Sequence, residues 1–229
     1  MVYKALIFDL DGTLLDTLED IAAAANRVLE TMNMPTHPVK DYRLFVGNGM
    51  ESLLTKILPE QQRTPPTITK AVSRFQEDYS KNWYVKTSMY DGIAEMLNTV
   101  EAEGYPSSIL SNKPEEFTRP CVEQLLPNWR FSHIFGQRQD VPKKPDPQAA
   151  LEIARKLNLE PSDILFVGDS SVDMKTATNA GMDAVGVLWG FRSAEELRES
   201  GARYLIGHPR ELLAILKNCP PHRYSVVRH

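Results

Sequence analysis

Cysteine is nearly absent from this sequence of 229 residues, which contains only Cys121 and Cys219. Two cysteines that are far apart and lack metal-ligand spacing form neither a disulfide framework nor a structural zinc site. They are typical of structural thiols in a reducing compartment. We therefore expect a cytoplasmic protein whose stability comes from a buried core rather than from cross-links.

The sequence also lacks long apolar runs and a large excess of charge. No run is long enough to span a bilayer, and we expect no signal peptide before the first predicted strand. The formal net charge is -4, which provides no strongly basic surface for nucleic acid or for an anionic membrane. We therefore expect neither a nucleic-acid nor a membrane partner, and the composition is that of an ordinary globular protein.

The sequence does contain a short apolar run at residues 4–8, which is rich in β-forming residues and predicts a buried strand. Asp9 ends the run, and Asp11-Gly12 follows as a turn signal. Side chains two residues apart on an extended backbone point to the same side, so both carboxylates can face one pocket. Two close carboxylates repel each other unless a cation joins them, which predicts a divalent metal ion, Mg²⁺. The alternative is a tight turn with Asp9 as a strand-end cap.

The pattern of predicted elements changes near residue 90. Residues 16–86 predict helices and no strand, whereas strands and helices alternate afterwards, which predicts an α/β fold with a parallel sheet. The later strands are predicted at residues 107–110, 133–136, 164–168, 184–188 and, as a weak edge strand, 204–206. We expect a core domain of residues 1–15 and 88–229 and a small all-helical cap domain of residues 16–87, which is well placed to act as a lid. We expect residues 220–229 to be poorly ordered.

Polar residues end the second predicted strand. Ser111-Asn112-Lys113 follows the apolar residues and is predicted to open a helix, where a hydroxyl and free N–H groups can hold a phosphate oxygen. The alternative is that Ser111 or Asn112 simply caps that helix.

Two further segments place charged residues near strand ends. Asp169 follows a buried strand, and Asp173 lies one helical turn later, so both can approach the same site; the alternative is a helix N-cap at Asp169-Ser170. Lys143-Lys144 precedes a proline and is either a solvated basic loop or the source of a cation for the site. Composition does not choose between the two lysines.

Residues 9–14, Asp-Leu-Asp-Gly-Thr-Leu, closely resemble the first motif of the haloacid dehalogenase-like phosphatases. The three later segments match the second, third and fourth motifs in order, so the resemblance covers nearly the whole chain. It implies a Rossmann-like core with strand order 3-2-1-4-5. It also selects Lys144, because the family's lysine directly precedes proline. Pro120, inside the helix after the second motif, is a departure from the family pattern.

The position of the helical insertion matches the subfamily with a small helical cap. Within it, residues 46–49, 111–114, 143–145 and 189–192 look most like phosphoglycolate phosphatase. Short-chain dehalogenases lack an acid at the position of Asp11, so its presence favours phosphoryl chemistry. In the cap, Gly47-Asn48-Gly49 is predicted to open a helix and to offer N–H groups to the substrate carboxylate. The alternative is a helix–helix turn with Gly47 as a C-cap.

The resemblance implies a Mg²⁺-dependent phosphomonoesterase that forms an aspartyl-phosphate. Asp9 would attack phosphorus, and Asp11 would act as general acid and then as general base. Asp173 would orient metal-bound water or Lys144. The implied metal ligands are Asp9, the Asp11 backbone carbonyl and Asp169. The implied phosphate-binding groups are Ser111, the Asn112 backbone and Lys144.

Two kinds of alternative remain open at the level of sequence. The chain could be a pyrophosphatase, a nucleotidase or a sugar-phosphate phosphatase or mutase of the same superfamily. It could also be a non-catalytic phospho-receiver module, although such modules are shorter and lack a helical insertion. We expect the partner to be a small phosphorylated metabolite, most simply 2-phosphoglycolate, and the protein to be a monomer or a homodimer.

Overall fold

The structure is a computed structural model that describes residues 3–217. Within these residues the strands are Ala5–Phe8 (β1), Leu15–Asp16 (β2), Ser88–Met89 (β3), Ser107–Pro114 (β4), His133–Gln137 (β5), Ile164–Gly168 (β6), Asp183–Val187 (β7) and Tyr204–Ile206 (β8). The helices are Leu18–Thr31 (α1), Tyr42–Phe45 (α2), Met50–Ile57 (α3), Pro65–Asn82 (α4), Ile93–Ala102 (α5), Glu115–Leu125 (α6), Gln148–Leu157 (α7), Ser171–Ala180 (α8), Ala194–Glu199 (α9) and Glu211–Leu216 (α10).

Six of the strands form one parallel sheet in the order β5-β4-β1-β6-β7-β8. In chain order this is 3-2-1-4-5-6, so the expected arrangement with the first strand at the centre is confirmed. The weak edge strand forms as predicted and is the sixth strand. The α/β class and the Rossmann-like sheet are therefore as expected from the sequence.

Strands β1 and β6 are apolar throughout because helices cover both faces of the sheet. In β1, Leu6 and Phe8 face the layer that contains α5, α6 and α10, whereas Ala5 and Ile7 face α7, α8 and α9. All four residues are fully buried. A parallel strand that is covered on both faces needs a continuous apolar run rather than an alternating pattern.

Helices α1 to α4 form the insertion between β1 and the rest of the sheet. Helix α1 packs against α4 through an apolar face, and α3 packs against the same helix. Thr64 caps α4 by accepting a hydrogen bond from the backbone N–H of Thr67, and Pro65 occupies the first helical position, where its missing N–H costs nothing. The exact division into core and cap domains at residues 15–16 and 87–88 stays a prediction.

A two-stranded antiparallel pairing closes the base of the insertion, and the sequence did not predict it. Leu15 in β2 pairs with Met89 in β3, and Asp16 pairs with Ser88. The strands are two residues long and lack a periodic pattern, so local sequence carries almost no signal for them. They join the point where the chain leaves the sheet to the point where it returns.

The predicted boundary between the second sheet strand and its helix is wrong. Strand β4 continues to Pro114, with an irregularity between Leu110 and Pro114, and α6 begins at Glu115. Ser111-Asn112-Lys113 therefore belongs to the strand end, so neither Ser111 nor Asn112 caps α6 and no helix start lies there. Pro120 does lie within α6, as predicted.

Cys121 is buried and free in α6, whereas Cys219 and residues 220–229 lie outside the described residues. Between residues 3 and 217, none of the helices combines the length and the apolar character that a bilayer span requires.

Candidate active site

The candidate site lies at the carboxyl ends of β1, β4 and β6, which are neighbours in the sheet. Asp9 follows β1, Ser111 and Asn112 lie in the last part of β4, and Asp169 follows β6. These four residues are between 2% and 8% exposed. The topology thus brings together residues that are up to 160 positions apart, at the edge where parallel sheets bind ligands.

Lys144 lies between two of the carboxylates. Its Nζ is 2.8 Å from Asp9 Oδ1 and 2.6 Å from Asp173 Oδ1. Burial opposes the positive charge, but attraction to Asp173 and Asp9 outweighs burial and raises the pKa of Lys144. Lys143 is exposed instead, and its Nζ donates to the backbone oxygen of Asn48 at 2.9 Å. The structure therefore brings Lys144 to Asp9 and directs Lys143 to the insertion.

The side chain of Asn112 holds the Lys144 loop in place. Its Oδ1 accepts a hydrogen bond from the Lys144 N–H at 2.9 Å, and its Nδ2 donates to the Lys144 carbonyl at 3.0 Å. The same Nδ2 donates to the Gly47 carbonyl at 3.1 Å. Ser111 Oγ lies beside it and accepts from the Lys113 N–H at 3.2 Å. The sequence indicated a function for the Asn112 backbone only, because the contacts of its side-chain amide depend on the fold.

Three buried carboxylates converge at the site. Asp9, Asp169 and Asp173 each offer an oxygen atom, and these atoms lie within 4.8 Å of one another. Burial, and then repulsion from Asp173, raises the pKa of Asp9 to about 7, although Lys144 opposes the shift. Burial also raises the pKa of Asp169 well above its usual range, with Asp173 and Asp9 adding to the effect. The single positive charge of Lys144 therefore does not compensate the three carboxylates.

These residues fit a divalent metal ion. Asp9 Oδ1 is buried, and among residues 3–217 its close cationic contact is Lys144 Nζ at 2.8 Å, so one ammonium group faces three carboxylates. Carboxylate oxygens are the ligands that Mg²⁺ prefers, and a cation would relieve their mutual repulsion. Asp9 and Asp169 are the two carboxylates predicted as ligands. Asp173, which was predicted to orient other groups, completes the carboxylate cluster, and the Asp11 carboxylate points to a different partner.

Two glycines allow the chain to close around Asp169. A Cβ atom at Gly12, whose φ is +87°, would lie 2.4 Å from Asp169 Oδ2, and a Cβ at Gly190 would lie 2.3 Å from Asp169 Cβ. The Phe191 N–H donates to the same Oδ2 at 2.8 Å. Asp169 is therefore held rigidly against the turn that follows β1, and larger residues at either glycine would displace it.

Asp11 faces Lys113, a residue to which sequence analysis gave no function. Lys113 Nζ lies 2.8 Å from Asp11 Oδ1 and donates to the Tyr79 hydroxyl at 2.8 Å. Burial opposes the charged amine, but Asp11 and Tyr79 raise the pKa of Lys113 well above its usual range. A signal was present, because Lys113 belongs to the same polar segment as Ser111 and Asn112, directly after an apolar strand, and all three residues line the pocket.

A pocket separates these residues from the helical insertion. Asp9, Asp11, Ser111 and Lys113 line its polar end. Its apolar wall comes mainly from the insertion and consists of Ile21, Val46, Met50, Leu53, Phe75 and Phe117. Access to Asp9 thus passes between the sheet and the inserted helices, which are positioned to contact whatever is attached to a bound phosphate.

Gly47 and Gly49 also line this pocket, whereas Asn48 does not, and the Asn48 carbonyl oxygen accepts a hydrogen bond from Lys143 Nζ. Gly47 has a φ of +117° and follows the C-cap of α2, which agrees with the helix-end alternative, and Gly49 has a φ of +84° at the N-cap of α3. Arg192 donates to the carbonyls of Arg43 and, at 2.7 Å, Val46. The loop at residues 46–49 is therefore fastened to the core through its carbonyl groups.

The sequence model of the haloacid dehalogenase-like hydrolase family matches residues 6–187 of this chain. That range contains Asp9, Ser111, Lys144 and Asp169. The chain belongs to the haloacid dehalogenase-like hydrolase family. The resemblance seen in the sequence is thereby confirmed, and so is the expectation of an enzyme of this class.

Curated relatives of this haloacid dehalogenase-like hydrolase are named phosphoglycolate phosphatase. The protein from Psychrobacter arcticus is 33% identical over 204 residues, which cover 86% of this chain and 88% of the relative. One from Pseudomonas aeruginosa, named phosphoglycolate phosphatase 1, is 30% identical over 92% of this chain and 78% of its own length.

Solved structures share the whole fold of this hydrolase. A crystal structure from Lactobacillus delbrueckii subsp. bulgaricus superposes with a TM-score of 0.88 at 28% identity, covering 94% of this chain and 99% of the other. A predicted phosphoglycolate phosphatase from Haemophilus somnus 129pt gives a TM-score of 0.86 at 27% identity over 93% and 97% of the two chains. The coverage includes the helical insertion as well as the sheet.

Proposed function

We propose that this protein is a Mg²⁺-dependent phosphomonoesterase that hydrolyses 2-phosphoglycolate through an aspartyl-phosphate at Asp9. The observation that carries the proposal is the position of Asp9. It is buried at the end of β1, next to Lys144 and to the carboxylates of Asp169 and Asp173. It also lines the pocket beneath the helical insertion. The names of the curated relatives support the choice of substrate.

In this mechanism Asp9 attacks phosphorus and the ester bond to the leaving oxygen breaks. Asp11 protonates the leaving oxygen and then takes a proton from the water that hydrolyses the aspartyl-phosphate. Lys144 and Ser111, with the Asn112 backbone, neutralise the phosphoryl oxygens. Mg²⁺ held by Asp9, the Asp11 carbonyl and Asp169 would reduce the repulsion between the attacking carboxylate and the phosphate. Asp173 holds Lys144 in place through the 2.6 Å contact.

The helical insertion supplies selectivity, because the groups around Asp9 recognise only the phosphoryl group and the metal. The polar end of the pocket receives the phosphoryl group, and the loop at residues 46–49, two of whose glycines line the pocket, is the part of the insertion that meets the glycolate carboxylate through its backbone. We propose a small phosphorylated metabolite as the partner, with no nucleic acid or membrane involved, a cytoplasmic location and a monomeric or homodimeric state.

The test is phosphate release from a panel of esters, with Mg²⁺ and with excess chelator. The panel contains 2-phosphoglycolate, pyrophosphate, a nucleoside monophosphate and a hexose phosphate. We expect the highest kcat/KM for 2-phosphoglycolate and no turnover in chelator. Asp9→Asn keeps the shape of the side chain but removes the attacking charge, so activity should fall by at least about 10⁴-fold, within the range of the acceleration that enzymes provide.

Asp163→Asn is the matched control, because Asp163 pairs with Lys4 at the surface. It should leave all rates unchanged. Near-normal turnover in Asp9→Asn would refute the aspartyl-phosphate mechanism. If the enzyme prefers pyrophosphate, a nucleotide or a hexose phosphate, the proposed mechanism stands but 2-phosphoglycolate is not the substrate.

A further inference from the structure

Lys113 is a buried lysine in the pocket that the mechanism above leaves without a function. The residue is 7% exposed and lies in the last part of β4. Its Nζ lies 2.8 Å from Asp11 Oδ1 and donates to the Tyr79 hydroxyl at 2.8 Å. Asp11 lies on the turn after β1 and Tyr79 on α4, so Lys113 joins the sheet, the catalytic turn and the insertion at one point.

The apolar surroundings of Lys113 make its buried positive charge depend on the Asp11 carboxylate. Phe75 and Phe117 lie on the same pocket wall, and a lysine charge buried among apolar groups is costly unless an acid compensates it. The Asp11 carboxylate supplies that compensation. The 2.8 Å bond engages Asp11 Oδ1, so it fixes the plane of the carboxyl group and with it the direction of Oδ2.

Tyr79 is held by packing on both sides of the pocket. Its ring stacks on Phe75 of α4 at 5.1 Å between centroids, and it forms a T-shaped contact with the Phe117 ring of α6 at 5.4 Å between centroids. Phe75 belongs to the insertion, whereas Phe117 belongs to α6, which packs on the sheet. The hydroxyl therefore reaches Lys113 only when α4 lies against the core as it does here.

We propose that Lys113 is a positioning residue that aims Asp11 at the leaving oxygen, and that Tyr79 makes this alignment depend on the inserted helices. The inference rests on the proposed phosphatase function. In the step concerned, an Asp9 oxygen forms a bond to phosphorus, the ester P–O bond breaks, and its electron pair stays on the leaving oxygen. That oxygen takes the proton that the acid form of Asp11 carries on Oδ2, which the Lys113 bond to Oδ1 leaves free, and Asp11 remains as a carboxylate paired with the Lys113 charge.

The test compares esters whose leaving groups differ in their need for a proton. An alkoxide leaves poorly without protonation, whereas 4-nitrophenolate leaves without it. Single-turnover cleavage of 2-phosphoglycolate, ethyl phosphate and 4-nitrophenyl phosphate is measured with Mg²⁺ for the full chain and for Lys113→Met. Because general acid catalysis contributes about 10²- to 10⁴-fold, a misaligned acid should slow both alkyl esters by about 10- to 100-fold. Cleavage of the aryl ester should change little.

Two variants give the pattern independent support. Asp11→Asn should show the same selective loss, only larger. Tyr79→Phe keeps the ring packing and removes one hydroxyl, so it should show a smaller loss in the same direction. Tyr42→Phe is its matched control, because Tyr42 is a buried tyrosine of the insertion whose hydroxyl donates to Asn26 instead. Lys4→Met, which removes a surface ion pair with Asp163, controls for the loss of a lysine.

Three results would overturn the inference. Equal losses on alkyl and aryl esters in Lys113→Met and Tyr79→Phe would mean a purely structural contact. An increase in KM for 2-phosphoglycolate without one for ethyl phosphate, with unchanged single-turnover rates, would make Lys113 a substrate-charge receptor. A wild-type protein that cleaves none of the esters would remove the proposed function and this inference with it, whereas the first two results leave the proposed function intact.

Discussion

Asp169 is the residue whose substitution tests the metal site most directly. It is 2% exposed, shares its cluster with Asp9 and Asp173, and accepts a hydrogen bond from the Phe191 N–H. Mg²⁺ bound there should raise the melting temperature, because a ligand that binds only the folded state stabilises it. Asp169→Asn should lower the Mg²⁺-induced shift, measured by thermal denaturation across a Mg²⁺ titration.

A control variant is measured in the same titration, and a Ca²⁺ control in the activity assay. Asp146→Asn alters an acid outside the cluster and should leave the shift unchanged. Ca²⁺ should support turnover poorly, because its larger and looser coordination shell positions the phosphate less well. An Asp169→Asn protein with the full Mg²⁺ shift would remove Asp169 from the ligand set.

At the same scale, local sequence rules located Asp9 but not its neighbours. The two-residue spacing correctly predicted that Asp9 and Asp11 both reach the pocket, and both line it. It did not predict that Asp9 would face Lys144 while Asp11 faces Lys113. Those pairings join residues more than 100 positions apart, so they depend on strand order and on loop packing rather than on any local pattern.

At the scale of elements, the loop at residues 46–49 is the part of the insertion that contacts the core most closely. Gly49 has a φ of +84°, and a Cβ there would lie 3.4 Å from the Asn112 carbonyl oxygen. That distance is an ordinary van der Waals contact, but alanine is strained at this φ, so Gly49→Ala should shift the loop through its backbone and raise KM for 2-phosphoglycolate by about 10-fold, equivalent to ~1.4 kcal/mol. With the aryl ester 4-nitrophenyl phosphate as substrate, KM should rise much less, because the leaving group carries no carboxylate.

Gly104→Ala is the matched control for this variant. Gly104 has a φ of +78°, so alanine costs about 1–2 kcal/mol of backbone strain at either position, but no atom lies within 4 Å of its Cβ position. It should lower stability without changing either KM. Equal increases in KM for both esters in Gly49→Ala would attribute the effect to general disturbance and not to recognition of the acid.

Sequence patterns predicted long elements better than short ones. The 3.6-residue periodicity located α4, and the apolar runs located β1 and β6. The start of α6 was misplaced because polar residues after a strand suggested a cap, whereas β4 continues through them with an irregular register. The β2–β3 pair was missed because its pairing is set by tertiary closure and not by β propensity.

At the scale of the whole molecule, the insertion and the sheet share one apolar core. Leu6 and Phe8 of β1 belong to the same buried cluster as Tyr42 and Leu54 of the insertion. The alternation of strands and helices predicted a parallel sheet, whereas the correct strand order came from the resemblance to the family. The sequence could not predict how the insertion sits on the sheet, since that depends on side chains from both parts.

The position of the insertion depends strongly on Asp20, in the first turn of α1. Its carboxylate is 3% exposed and accepts hydrogen bonds from the N–H groups of Lys86 and Thr87 and from the Thr87 hydroxyl, at 2.8–3.0 Å. These bonds tie the beginning of the insertion to its end. Asp20→Ala would leave buried donors unsatisfied and should cost about 2–3 kcal/mol of unfolding free energy.

For a chain of this size, such a loss should lower the melting temperature by about 4–12 °C. Because the insertion as a whole would be displaced, Asp20→Ala should slow alkyl and aryl esters alike, in contrast to the selective loss expected of Lys113→Met. Glu19→Ala is the control. Glu19 is exposed, and its carboxylate lies 3.8 Å from Lys86 Nζ, a surface ion pair that contributes little to the free energy of unfolding. Both variants are compared by denaturant unfolding and by phosphatase kinetics. Unchanged stability in Asp20→Ala would mean that the other contacts between the insertion and the core hold the insertion in place without the Asp20 bonds.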